Sequence, residues 1–150
     1  MKLTSSAFSY GHAIPTPYIE HGEDMRPPLT ITDVPEEAKS LVLIVDDRDT
    51  LYGLFTHWIL FNINPHVGVI LDNTIPSGAS QGLNDAGSVG YVGPDHPAGT
   101  HRIFFHLYAI GETLLLKEGV SRLEVEEAIK DQIIAEAELL GIANADIYYA

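Results

Sequence analysis

Three short apolar runs, rich in β-branched and aromatic residues and set among turn-forming residues, constrain this fold more than any other feature. They are Ser40-Leu-Val-Leu-Ile-Val45, Trp58-Ile-Leu-Phe-Asn-Ile63 and Ile103-Phe-Phe-His-Leu-Tyr-Ala-Ile110. The first is continuous rather than alternating, the pattern of a strand buried on both faces. Around them lie Pro27-Pro28, Asn64-Pro65, Pro76-Ser77-Gly78 and a glycine-rich stretch, all of which punctuate the chain as turns. Up to about residue 110 the chain therefore reads as strands and turns, and the fold as mainly β.

One amphipathic helix is expected after that point. Ser121-Arg-Leu-Glu124 has the form of a capping box. Val125, Ile129, Ile133 and Ala137 then recur every four residues, with Ala128 and Ile134 beside them, as one apolar stripe. Gly141 reads as the C-terminal stop. The polar face is acidic, so the helix is expected to pack on the sheet rather than on a membrane surface. A single helical turn is expected over Val34-Pro-Glu-Glu-Ala-Lys39.

The 150 residues are expected to form one domain, 1–150, long enough to bury roughly 70% of the unfolded surface. With no cysteine there is no disulfide, thiolate metal site or cysteine nucleophile. The 21 acidic and 8 basic side chains give a formal charge of −13, which disfavours nucleic acid and anionic membranes. The longest aliphatic run, Leu41 to Val45, is too short to span a bilayer, and Met1 to His12 lacks a signal-peptide pattern. A cytoplasmic protein without membrane insertion is the expectation.

The stretch Gly90-Tyr-Val-Gly-Pro-Asp-His-Pro-Ala-Gly-Thr-His-Arg102 opens directly onto the third run. Glycine admits close approach of a ligand to the backbone and proline fixes the local shape, so it reads as a preformed pocket wall. Strand alternation places Leu43, Val45 and Asp47 on one face of their strand, and His57, Ile59 and Phe61 on one face of theirs. His101, Ile103, Phe105 and Leu107 share a third face, with Arg102 and His106 opposite. Asp47, His57 and His101 thus each lie at a strand end, with apolar residues of their own face behind them. Four potentially cationic groups, Arg48, His57, His101 and Arg102, flank these segments. Arg102 is expected in a structural ion pair.

His96, His101 and His106 are spaced by five, but the last two fall on opposite faces and do not suit a shared metal. No metal and no cofactor is expected. Gly87 to Gly93 lacks dinucleotide-binding spacing, and no GxSxG nucleophile motif is present.

Several segments, in order, carry a resemblance. Asp46-Asp-Arg-Asp49, Thr56-His-Trp-Ile-Leu-Phe-Asn62, Gln81-Gly-Leu-Asn-Asp-Ala-Gly87 and Gly90-Tyr-Val-Gly-Pro…Gly99-Thr-His-Arg102 resemble the phosphatidylethanolamine-binding protein family, in its short prokaryotic Raf-kinase-inhibitor-like branch. Leu3-Thr-Ser-Ser-Ala-Phe8, Pro27-Pro28-Leu29 and Asp33-Val-Pro35 fit as well, so the likeness runs from residue 3 to about 141. It implies two antiparallel sheets with Greek-key connections, a C-terminal α-helix, and a small cavity binding the phosphate of a phospholipid head group. The family's pocket aspartate falls on Asp47, its following aspartate on Asp49, its histidines on His57 and His101, and its glycine-proline wall on Gly93, Pro94 and Pro97.

Four positions depart from the pattern, one of them a proline that the family commonly has near Leu51 and this chain lacks. Arg48 and His96 stand where proline is usual, and Ile103 where a tyrosine commonly follows the His-Arg pair. Arg48 and His96 are candidates to restore phosphate binding, and Ile103 removes a phenolic donor from the face of His101. The resemblance implies a non-enzymatic binder of a phosphate-type anion that regulates a protein partner such as a kinase, with a homodimer as a plausible assembly. Competing readings are a serine protease inhibitor and a phosphate-ester hydrolase using His57 as base and Asp47 as its orienter.

Overall fold

The computed structural model describes residues 1–19, 25–94 and 99–144. Among the described residues, nine strands make two sheets. β1 (Lys2–Thr4), β3 (Leu29–Thr32) and β6 (Val69–Ile70) form a small antiparallel sheet in the order β1-β3-β6. The larger sheet contains β2 (His12–Ala13), β4 (Ser40–Thr50), β5 (Gly53–Ile63), β7 (Ser80–Gln81), β8 (Thr100–Ile110) and β9 (Ile133–Asn144), in the order β2-β9-β8-β4-β5-β7. All pairings are antiparallel except β2 with β9. After β5 the chain adds one short strand to each sheet before β8 returns to pair with β4, the expected Greek-key crossing.

β4 is central and buried on both faces, as its continuous apolar run requires. Leu41, Leu43 and Val45 face the small sheet and meet Leu3, Leu29, Ile31 and Ile70 in one core. Val42 and Ile44 face the other way, with Ile59, Phe61 and Ile110, and are covered by Leu114, Val120, Val125 and Ile129. Val125 and Ile129 belong to the helix α1 (Arg122–Ile129). Ser121 caps it: Ser121 Oγ accepts from Glu124 N at 3.2 Å. Asn62, in a left-handed conformation at φ 55°, ties β5 to the segment leading to α1. Its amide donates to Leu114 O at 2.9 Å and accepts from Leu114 N at 2.8 Å.

The helix is shorter than its apolar stripe predicts. It stops at Ile129, the chain turns through a Gln132 N to Ile129 O hydrogen bond of 2.8 Å, and Ile133–Asn144 is a strand. The reason lies in the spacing. Positions four apart are also an even number apart, so Ile133 and Ala137 satisfy a strand's alternation as well as a helix stripe. β8 offers a complete partner, and Thr100↔Asn144 through Ala109↔Ala135 pair antiparallel. Leu139 and Ala143 are buried in the core, with Ala135 and Ala137 packed against it, while Glu136 and Glu138 are exposed. Gly141 is therefore not a helix stop. It opposes His12 of β2 and leaves room for Ile14 and Phe8, which a Cβ there would overlap. The turn at Glu36–Glu37 closes with Ala38 N on Pro35 O and is not helical, whereas among the described residues the short helical turn is the 3₁₀ turn Thr16–Tyr18.

Candidate functional site

The ends of β4, β5 and β8 meet at one cavity of about 330 Å3, lined by Asp47, Thr50, Phe55, His57 and His101 on the strands and by Ala86, Val92, Gly93 and Pro94 on loops. Asp47 lies opposite Phe55 of β5 and Ile103 of β8. Its carboxylate has two occupations: Oδ1 accepts from Asp49 N at 2.8 Å, and Oδ2 lies 2.6 Å from His101 Nδ1. Asp47 is 4% exposed, so this pair is sheltered from water. Asp47 fixes the His101 ring and, through the Asx turn to Asp49, its own direction.

His57 reaches the cavity by a route that alternation does not predict. Ile59 and Phe61, its expected companions, lie on the helix side of the sheet. The β4–β5 pairing passes from Val45↔Trp58 to Asp46↔Thr56, which leaves His57 as an additional residue in β5. Such a bulge re-aims the side chain, here onto the face of Asp47. The ring is anchored there: Nδ1 donates to Val92 O at 2.8 Å, Val92 N donates to His57 O at 3.0 Å, and the Phe55 ring lies 4.8 Å away, centroid to centroid. Burial pushes the His57 imidazole below the ordinary histidine value, against the Val92 carbonyl and the charges of Asp47, Asp46 and Asp85. His57 is thus neutral near pH 7.

The wall is stitched by Asn84, which is 2% exposed. Its Nδ2 donates to Gly90 O at 2.9 Å, and its Oδ1 accepts from Ala86 N at 3.0 Å. Asp85 fastens the same loop to the bulge, accepting from Thr56 N at 2.7 Å while its own N–H donates to Thr56 O at 2.9 Å.

Of the residues singled out in the sequence, Asp47, His57, His101, Gly93 and Pro94 come together around the cavity. His96 and Pro97 lie outside the described residues. Ile103 is 1% exposed within the core and does not line the cavity. Asp49 turns to Arg102 in a bidentate pair, Oδ2 to Nε at 2.9 Å and Oδ1 to an Nη at 3.0 Å. That hydrogen bonding holds the Asp49 carboxyl below its usual value.

Arg48 lies on the other side of the sheet from Asp47, as alternation along β4 requires. Its Nη2 lies 2.8 Å from His106 Nε2, its Nε sits 3.4 Å from Asp46 Oδ1, and the guanidinium stacks over the Phe104 ring at 4.5 Å. It joins a cluster on fully buried Asp46, whose Oδ2 is 3.0 Å from Arg122 Nη1. Desolvation pushes the Asp46 carboxyl up, but His106 and Arg122 together hold it below the usual carboxylate value. Of the four cationic candidates only the two histidines face the cavity. Sequence reasoning missed Thr50, Phe55, Ala86 and Val92. Phe55 was legible, two residues before His57 and just past the hairpin, whereas Val92 carries no side-chain signal because it acts through its carbonyl.

The family model described as phosphatidylethanolamine-binding protein matches residues 4–144. A UPF0098 protein of Chlamydia trachomatis is 45% identical over 151 residues, covering 97% of this chain and all of that protein. A UPF0098 protein of Methanothermobacter thermautotrophicus is 43% identical over 147 residues, covering 95% and 97%. Among solved structures, the phosphatidylethanolamine-binding protein homologue CT736 of Chlamydia trachomatis superposes with a TM-score of 0.91 at 44% identity, covering 95% of this chain and 96% of that one. YbcL of E. coli, described as a new member of the mammalian PEBP family, superposes at 0.86 with 27% identity, covering 95% and 97%. With a family model spanning nearly the whole chain and relatives above 40% identity along their full length, this chain belongs to the phosphatidylethanolamine-binding protein family.

Proposed function

We propose that this protein is a non-enzymatic binder of a small phosphate-type anion or head group, and that occupancy of the pocket controls a protein partner such as a kinase. The observation that carries the binding reading is the sheltered Asp47–His101 pair facing His57 across a cavity of about 330 Å3. That volume is at the small end of ligand pockets, roughly 300–1,000 Å3, and suits a head group rather than a lipid with its chains. The partner rests on family membership alone.

A hydrolase with Asp47 orienting His57 is poorly supported, because Asp47 holds His101 while Val92 holds His57. Thr50 is the one hydroxyl among the described lining residues, and it donates to Gly53 O. The test is an NMR titration with phosphate and phosphorylethanolamine, observed at His57 and His101, alongside a phosphate-ester turnover assay. Saturable shifts at both rings without turnover are expected. Turnover lost in His101→Ala would sink the non-enzymatic reading.

Serine protease inhibition keeps one supporting observation. Leu51 and Tyr52, at the tip of the β4–β5 hairpin, are 95% and 97% exposed, as a loop offered to an enzyme cleft must be. A panel of serine proteases would decide it: no inhibition at micromolar protein removes that reading.

A further inference from the structure

On the side away from β4, β5 loses its strand partner where the site begins. β7 pairs with it at Leu60 and Phe61, and Gly82 N donates to Ile59 O at 2.9 Å. At the bulge the loop 84–92 takes over. In a regular strand, successive residues turn their backbone groups to opposite sides. Here the carbonyls of both Thr56 and His57 turn to that loop, accepting from Asp85 N at 2.9 Å and from Val92 N at 3.0 Å. The loop must also supply an acceptor for the Thr56 N–H, and a side chain provides it: Asp85 Oδ2 lies 2.7 Å away. Thr56 is 2% exposed, so water is a poor substitute for that acceptor. The Thr56 side chain is engaged separately, its Oγ1 accepting from Arg122 Nη1 at 3.0 Å. Asp85 is itself an exposed residue and is not among those lining the cavity.

We propose that Asp85 is a positioning residue of the pocket: its carboxylate stands in for the strand carbonyl that β5 lacks at Thr56, and so holds the bulge that turns His57 into the cavity. A buried N–H left without an acceptor costs more than its hydrogen bond contributes, and β5 escapes that cost by giving up the bulge. Regular alternation then carries His57 to the side of Ile59 and Phe61, away from Val92 O. The role needs an acceptor and not a charge, so an amide oxygen in the same place serves as well. The charge itself works against an anion, and exposure to solvent screens it. The effect on affinity rests on the reading of the pocket as an anion site, whereas the effect on the His57 ring stands apart from any ligand.

The test compares Asp85→Asn and Asp85→Ala with wild type by NMR of the ¹³C,¹⁵N-labelled full chain, titrated with inorganic phosphate. Wild type should show a scalar coupling across the hydrogen bond, from Thr56 N to the carboxylate carbon of Asp85. Asp85→Asn should keep the His57 Nδ1–H signal and bind phosphate at least as tightly as wild type. Asp85→Ala should lose that signal and bind phosphate at least about tenfold more weakly. In the same variant the His101 Nδ1–H signal should stay in place, because its bond to Asp47 joins β8 to β4 and does not involve the loop. A general loosening of the fold would instead move His101 along with His57. An unmoved His57 ring in Asp85→Ala, or an Asp85→Asn that behaves like Asp85→Ala, overturns the inference. Should Asp85→Ala fail to fold, the wild-type coupling and the Asn variant decide: no coupling, or a lost His57 signal, overturns it. If phosphate moves neither imidazole in wild type, the anion reading falls, while the His57 signal in the variants still decides the role of Asp85.

Discussion

His101 Nδ1 stands 2.6 Å from Asp47 Oδ2, while the other oxygen of that carboxylate is held by the backbone of Asp49. The aspartate is spent on positioning and the imidazole is the group presented to the cavity. Asp47→Asn preserves the shape but places an amide N–H or a neutral oxygen against His101. Such a swap is expected to cost about 1–3 kcal/mol of stability for the unsatisfied polar contact. It should also abolish phosphate-induced shifts at His101. Denaturant unfolding and the same titration check both; an unaltered His101 response would remove Asp47 from the site.

Arg48 lies across the sheet from the pocket, against His106, Asp46 and Phe104. Arg48→Ala is expected to leave phosphate affinity within about twofold of wild type, since exposed charges at this range are largely screened. A tenfold loss by calorimetry would show that the arginine reaches the ligand.

Arg122 anchors α1 to the sheet, its Nη1 3.0 Å from Asp46 Oδ2 and 3.0 Å from Thr56 Oγ1. Removing it leaves a fully buried carboxylate with poorer partners, His106 at 3.5 Å and Arg48 at 3.4 Å. Arg122→Ala is expected to destabilise by on the order of 3 kcal/mol. A change of a few tenths in urea unfolding would mean that Arg48 and His106 compensate Asp46 fully.

The pH dependence has two windows of the same sign. Burial depresses His57, so between its folded value and the unfolded value near 6.5 the unfolded chain binds the extra proton. Stability from this group is present above about pH 6.5 and is lost as pH falls toward the folded value. Asp46 is depressed as well, because His106 and Arg122 outweigh its desolvation. Its contribution is present above the unfolded carboxylate value, near 3.9, and is lost as pH falls through the folded one. Thermal unfolding across pH 3 to 8 should therefore decline first below about 6.5 and again below about 4. His57→Asn should erase the first decline; its persistence would assign that decline to another group.

A Cβ at Gly141 would lie 2.6 Å from Ile14 Cδ1 and 2.9 Å from Phe8 Cε2. Gly141→Ala is expected to lose about 1–3 kcal/mol by overpacking the join of β2 to β9. A neutral effect on the melting temperature would show that Ile14 moves aside freely.

Much of this architecture is legible in the chain. The run from Ser40 to Val45 announces a strand covered on both faces, and alternation along β4 separates Asp47 from Asp46 and Arg48 before any coordinates exist. The glycine-proline stretch before His101 marks a wall, and Gly93 and Pro94 do line the cavity. These are local properties: residue type, period and order along the chain are enough to state them.

What escaped local reading depends on partners distant in sequence. Ile133 to Asn144 has a spacing that fits helix and strand alike, and the open edge of β8 resolves it in favour of the strand. His57 belongs by alternation with Ile59 and Phe61, and it joins Asp47 because pairing with β4 skips one residue of β5. That its Nδ1 carries a proton is fixed by the Val92 carbonyl, 35 residues along the chain. A sequence specifies which groups are present and how often they recur; register, bulges and the direction of a buried proton arise when separate segments satisfy each other's hydrogen bonds.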